Sequence, residues 1–158
     1  MIMRNPGKYF TWSEVTVSYE AARKGINNSL PDELRANAFF AASRMDYVRI
    51  ILGVAILVGS WYRCLKLNRA LKSKDDSDHL LALGIDFTAP DFGTPVEICK
   101  YLLQYKDTLN WKQLILEHTW VHISFHESME IPAKREVLTL LANGKYAIGL
   151  TDKLGNPL

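Results

Sequence analysis

Four histidines occur in the chain, His79, His118, His122 and His126, and the last three fall within nine residues. Zinc takes imidazole nitrogen, thiolate sulfur or carboxylate oxygen, and a catalytic zinc site keeps three protein ligands plus a water. His79 ends a polar loop. Asp86 sits in the middle of an apolar stretch, Ile85-Asp86-Phe87, where a buried carboxylate is costly unless it is paired or bound to a cation. His122 sits in the largely apolar run Trp120-Val121-His122-Ile123. Each signal is weak alone, because a single strand histidine is more often packed or hydrogen-bonded than ligating.

The elements that must position these groups follow from periodicity and punctuation. Thr11 or Ser13 caps a helical turn, with Glu14 three residues after Thr11. Residues 25–31 read as a loop, and Pro31 opens a helix in which Leu34, Ala38, Ala41, Met45, Val48 and Leu52 form one apolar face. Gly53 ends it. Residues 54–58 are short and rich in β-branched side chains, as a buried strand is. Residues 67–71 make a helical turn, 72–78 a charged loop and 84–88 a strand. Residues 95–105 read as a helix, and 113–116 and 120–125 as strands. A last pair of strands at 136–141 and 145–150 is joined by Asn143-Gly144, a strong hairpin signal. Helices first, then strands mixed with short helices, describe an α+β domain with a mainly antiparallel sheet.

Composition narrows the function classes. The chain has 158 residues, 48% apolar and 23% charged, enough for one domain burying roughly 70% of its unfolded surface. A net charge of +2 with scattered basic residues such as Lys66, Arg69, Lys72 and Lys74 argues against nucleic acid, which wants a clustered basic face. Two cysteines, Cys64 and Cys99, are too few for a disulfide scaffold and form no CxxC pair, so buried free thiols are expected. The longest mainly apolar run, 50–61, has about 12 residues against the roughly 20 of a membrane span. Residues 1–8 lack an apolar core of signal-peptide length. Synthesis in the cytoplasm without a signal peptide is therefore expected.

Taken in order and spacing, Ser60-Trp61-Tyr62-Arg63, Asn68, Ser77-Asp78-His79, Asp86 and Trp120-Val121-His122 resemble the zinc D-alanyl-D-alanine carboxypeptidase family. That family includes vancomycin-resistance D,D-peptidases and phage endolysins that cut L-alanyl-D-glutamate bonds, and it shares its fold with the signalling domain of hedgehog proteins. The resemblance covers about residues 9–126. It extends to the short phage and prophage members through Tyr9-Phe10-Thr11 and Gly25-Ile26-Asn27-Asn28. It implies a hedgehog/DD-peptidase-like α+β fold, with N-terminal helices packed on a mainly antiparallel sheet that carries a zinc site. One domain over 1–158 is expected: an N-terminal extension and loop (1–30), a catalytic core (31–126) and a C-terminal hairpin region (127–158).

The same resemblance implies roles. His79, Asp86 and His122 would hold one zinc ion per chain. Arg63 would hold a substrate carboxylate, Ser77 would hydrogen-bond the substrate near the scissile bond, and Glu117 would be general base and acid. Three departures stand beside it. The family's Gly is Ala82 here and its Ala is Gly84, both small. Trp61 replaces the usual Gly at the strand end, where its bulk is expected to narrow the groove. Thr119 occupies the position three before the last histidine where many members carry the base. Glu117 lies five before His122, an offset that in a straight strand points to the opposite face, so a bend is required. His118, of matching parity, is the rival base.

The expected activity is zinc-dependent hydrolysis of a peptide bond in peptidoglycan stem peptides, as a D-Ala-D-Ala carboxypeptidase or an L-Ala-D-Glu endopeptidase. The partner is the peptidoglycan peptide, reached by a monomeric phage or prophage lysis enzyme after its release, or carried in a virion. The alternative is a catalytically weak wall-binding or virion structural domain of the same fold.

Overall fold

Alternation along the central strands gives the sheet of this protein two unlike faces. The computed structural model describes residues 4–158, so the first three residues of the charged opening stretch lie outside the described ones. Six strands pair in the order β1-β2-β4-β3-β5-β6: β1 Leu57–Ser60, β2 Gly84–Thr88, β3 Gln113–Glu117, β4 Trp120–Ser124, β5 Glu136–Leu140 and β6 Tyr146–Ile148. Every neighbouring pair is antiparallel except β3 with β5. Ile85 and Phe87, Leu114 and Leu116, and Val121 and Ile123 are buried on one face. They share one core with Ala38, Ala41, Met45, Val48 and Leu52 of helix α3 (Arg35–Leu52) and with Ile98, Cys99 and Leu102 of α5 (Pro95–Leu102). Each of the buried Val, Leu, Ile, Phe and Met side chains contributes roughly 1.5–3 kcal/mol on burial. That leaves the residues between them, Asp86, Glu117 and His122, free for chemistry on the other face.

The helices begin and end where local chemistry dictates. Thr11 and Glu14 close a capping box on α1 (Trp12–Thr16), the Thr11 N–H donating to Glu14 Oε2 at 2.7 Å. Helix α3 stops at Gly53, whose φ of 69° only glycine adopts without strain. The apolar face expected of α3 is the buried one, with Leu34 packed half-buried against it. Two more helices, α2 (Tyr19–Lys24) and α6 (Lys106–Leu109), were not expected, although α2 has a Ser18 cap and a left-handed Gly25 at its ends. Helix α4 (Leu65–Ala70) covers the expected turn.

Three details differ from expectation. The first strand begins at Leu57 rather than at Val54. Ile56 is buried in the core and Val54 packs against it, the ladder to β2 starts only at Leu57 opposite Thr88, and Leu57 is exposed rather than buried. Only Cys99 is a buried thiol. Cys64 is half-buried, and its sulfur accepts from the Leu67 N–H at the start of α4. The third is the 3-10 turn Asp78–Leu81, in a stretch between loop and strand to which the sequence assigned no element. Among the described residues no helix is long and apolar enough to cross a membrane.

Candidate metal centre

Three elements bring His79, Asp86 and His122 together. His79 lies in the 3-10 turn that Ser77 caps, its N–H donating to Ser77 Oγ at 3.3 Å. Asp86 and His122 are cross-strand partners of β2 and β4. One ligand atom from each of the three lies within 4.8 Å of the others, and all three residues are buried. Asp86 Oδ1 is 3.2 Å from His79 Nε2 and 2.8 Å from His122 Nδ1. Its other oxygen accepts from Arg63 Nη2 at 2.8 Å, and Arg63 Nε donates to Ser60 Oγ at 2.9 Å.

The protonation states are set by competition between burial and charge. Burial opposes ionisation of Asp86, but the two histidines outweigh it and hold the carboxyl well below the ordinary range. Burial dominates at His79 and pulls its pKa down, so the ring is neutral. At His122 burial acts the same way, yet the Asp86 hydrogen bond and the charges of Asp86, Glu117 and Asp78 reverse it and raise the pKa. His79 Nδ1 is 2.6 Å from the Trp61 carbonyl oxygen, an acceptor only, so Nδ1 carries the proton. A neutral His79 therefore turns the Nε2 lone pair toward an ionised carboxylate. Two acceptors face each other, an arrangement that a cation between them resolves. A carbonyl fixing the tautomer of a ligating histidine is the usual outer support of such a centre. The two imidazoles and one carboxylate fit zinc.

Glu117 reaches the same face by a route that strand parity misses. It ends β3, His118 and Thr119 form a two-residue turn, and Trp120 opens β4 directly opposite Glu117. His118 takes the left-handed φ of 47° that such a turn demands. The hairpin thus supplies the required bend, and Glu117, Ile115 and His122 point the same way. His118 belongs to the turn rather than to the strand, so its matching parity carries no weight. Burial, then the charge of Asp86, raise the Glu117 pKa.

A cleft of about 520 Å³ opens over this face, lined among others by Ser77, Glu117, His122, Lys72, Lys112 and Tyr146. A second groove of about 380 Å³ is lined by Asp86 with Leu57, Val58, Phe87 and Trp120. Trp61 does not narrow either. Its indole is fully buried against Phe10 and donates to the Ala82 carbonyl at 2.9 Å. Ala82 takes a left-handed φ of 58°, which explains why a glycine suits that position in the resembled family. Asn68 is buried and donates to the Lys74 carbonyl at 2.8 Å, anchoring the charged loop 72–78.

Sequence reasoning passed over two features of the cleft. Lys112 Nζ pairs with buried Asp78 at 2.7 Å, tying the loop to the start of β3. Asp78 had read only as part of a polar turn, although its place between Ser77 and His79 was a signal. Tyr146 comes from β6, far along the chain, and no local pattern pointed to it.

No curated protein matches the chain. A family profile described as Peptidase M15 matches residues 8–124, a span that contains Arg63, Ser77, the three clustered residues and Glu117, and that stops at the end of β4. Most of the chain is covered, and the face just described lies inside the match: this protein belongs to the Peptidase M15 family and is a peptidase.

Proposed function

We propose that the chain is a zinc peptidase that cuts a peptide bond in peptidoglycan stem peptides. One observation carries the reading: one ligand atom each of buried His79, Asp86 and His122 converges within 4.8 Å, on the face that Glu117 shares. His79, Asp86 and His122 would hold one zinc ion, which when bound supplies a Lewis acid that acidifies water and polarises a carbonyl. Glu117 takes the proton of the attacking water and returns it to the leaving amine. Its raised proton affinity suits a group that must accept and then release a proton. Arg63 orients Asp86 through Nη2 and presents its remaining N–H groups to a substrate carboxylate, where a planar guanidinium binds in a bidentate manner. Ser77 accepts from the His79 N–H and keeps its own O–H for the substrate.

His122 lines one cleft and Asp86 a second groove, which favours an internal bond, such as L-Ala–D-Glu, over the trimming of a terminal D-alanine. A phage or prophage lysis role, with the enzyme reaching the wall after release, belongs to the same proposal. The test is release of amino groups from purified cell walls, with mass spectrometry of the products to name the bond. Glu117→Ala is expected to lower release by about 10²–10⁴-fold while zinc content stays. Excess chelator is expected to abolish release and added zinc to restore it. Unchanged release by the variant removes Glu117 from its role, and release in excess chelator removes the metal. Wild-type protein that holds zinc and binds walls without cutting them is a wall-binding domain.

A further inference from the structure

We propose that Tyr146, on the C-terminal β5–β6 hairpin, donates a hydrogen bond from its phenol to the bound peptide beside the scissile bond. A segment beyond the Peptidase M15 match would then complete the active site. The inference rests on the peptidase reading above.

Strand register places the residue. Ile115 pairs with Leu138 and Leu116 with Thr139 in the parallel β3–β5 ladder, so the next step sets Glu117 beside Leu140. Leu140 in turn pairs with Tyr146. Side chains at paired positions share a face, which puts Tyr146 on the face of Glu117, Asp86 and His122. Two strand spacings, roughly 9.5 Å, separate the backbones of Glu117 and Tyr146, a span their side chains close from both ends.

Two observations bring the phenol to the cleft, and a third leaves it unengaged. Tyr146 lines the same cleft as Glu117, His122 and Ser77. Burial raises its pKa, and the charges of Glu117 and Asp86 raise it further, so the hydroxyl lies in their field and stays protonated. No hydrogen bond ties that hydroxyl to another described residue, although half of the side chain is covered. A protonated, unengaged donor opposite a general base is what a peptide carbonyl in the cleft would meet. As water adds to the scissile bond the carbonyl oxygen gains negative charge, and a fixed donor there strengthens with it.

Tyr146→Phe removes only the oxygen from a half-exposed edge strand and leaves the ring packing in place. Cleavage of soluble stem peptides is measured with zinc content and thermal midpoint. A loss of ten-fold or more in kcat/KM with zinc content and midpoint unchanged is expected. A fall in kcat assigns the bond to the transition state, and a rise in KM assigns it to the bound peptide. On the Glu117→Ala background the same substitution is expected to weaken binding of the uncut peptide at least three-fold if the contact is made in the ground state. Wild-type protein that cuts, beside a Tyr146→Phe variant within two-fold of it, overturns the Tyr146 assignment alone. A loss that travels with zinc content or midpoint makes Tyr146 structural and overturns it too. Wild-type protein that does not cut overturns the peptidase reading instead.

Discussion

Gly84 has little room beside the centre. A Cβ built there would lie 3.1 Å from His122 Cε1, 3.1 Å from the His79 nitrogen and 3.2 Å from the Asp78 carbonyl carbon. The two backbone atoms are held by the 3-10 turn, so the His122 ring must yield. Gly84→Ala is therefore expected to tilt that ring and weaken zinc binding about ten-fold, the lower end for outer-shell disturbance. Competition against a chromophoric chelator measures it, and an unchanged affinity would mean the ring adapts freely. His79, Asp86 and His122 were legible because metal-ligating types stood inside a spaced pattern of neighbours. Glu117 was legible only through that pattern. Parity spoke against it, because a two-residue turn reverses the chain between Glu117 and His122 and no property of either residue announces the turn. Trp61 was misread for a related reason. Its type declares bulk, but only the fold decides whether bulk points to a groove or into the core.

At the scale of elements, the loop 72–78 is held over the cleft by few ties, among them Asn68 and the Lys112–Asp78 pair. Asp78 is buried while Lys112 keeps contact with solvent, so the pair is worth less than a fully dry one. Lys112→Met leaves a buried carboxylate without its cation and is expected to lower stability by about 1–3 kcal/mol, read from denaturant midpoints at pH 7. Restoring the loss by Asp78→Asn in the same chain is the matching outcome, and a Lys112→Met midpoint equal to wild type would show the tie to be ornamental. Strong local signals placed most elements: the Gly53 stop of α3, the start of α5 at Pro95 and the Asn143-Gly144 turn all lie where they were read. Tertiary pairing decided the rest. In the run 54–58 Ile56 enters the core and Val54 and Val58 pack against it while Leu57 stays exposed, and the extent of β1 is set by its partner β2.

For the whole molecule, the helices cover one sheet face and the chemistry occupies the other, an arrangement that binary patterning made legible as α+β. The parallel β3–β5 pairing was not legible, since a hairpin signal fixes β5 against β6 and says nothing of what the hairpin docks on. In the proposed site, zinc at about 100 times its Kd adds about 2.7 kcal/mol of stability. For a chain of this size that is a rise of roughly 5–11 °C in thermal midpoint, lost on chelation and absent in Asp86→Asn. Scanning calorimetry with and without zinc checks it, and a midpoint indifferent to zinc would remove the ion. The β2–β4 ladder has a further consequence. His79 and Asp86 stand seven residues apart along the chain, but Asp86 and His122 stand 36 apart. Closing the longer loop in an open chain costs about 1.5 kcal/mol more than closing the shorter. An unfolded chain thus offers a pincer of two teeth, and the third arrives only when the two strands zip. Grip on the ion and closure of the topology are one equilibrium, so whatever loosens that ladder also lets the ion go.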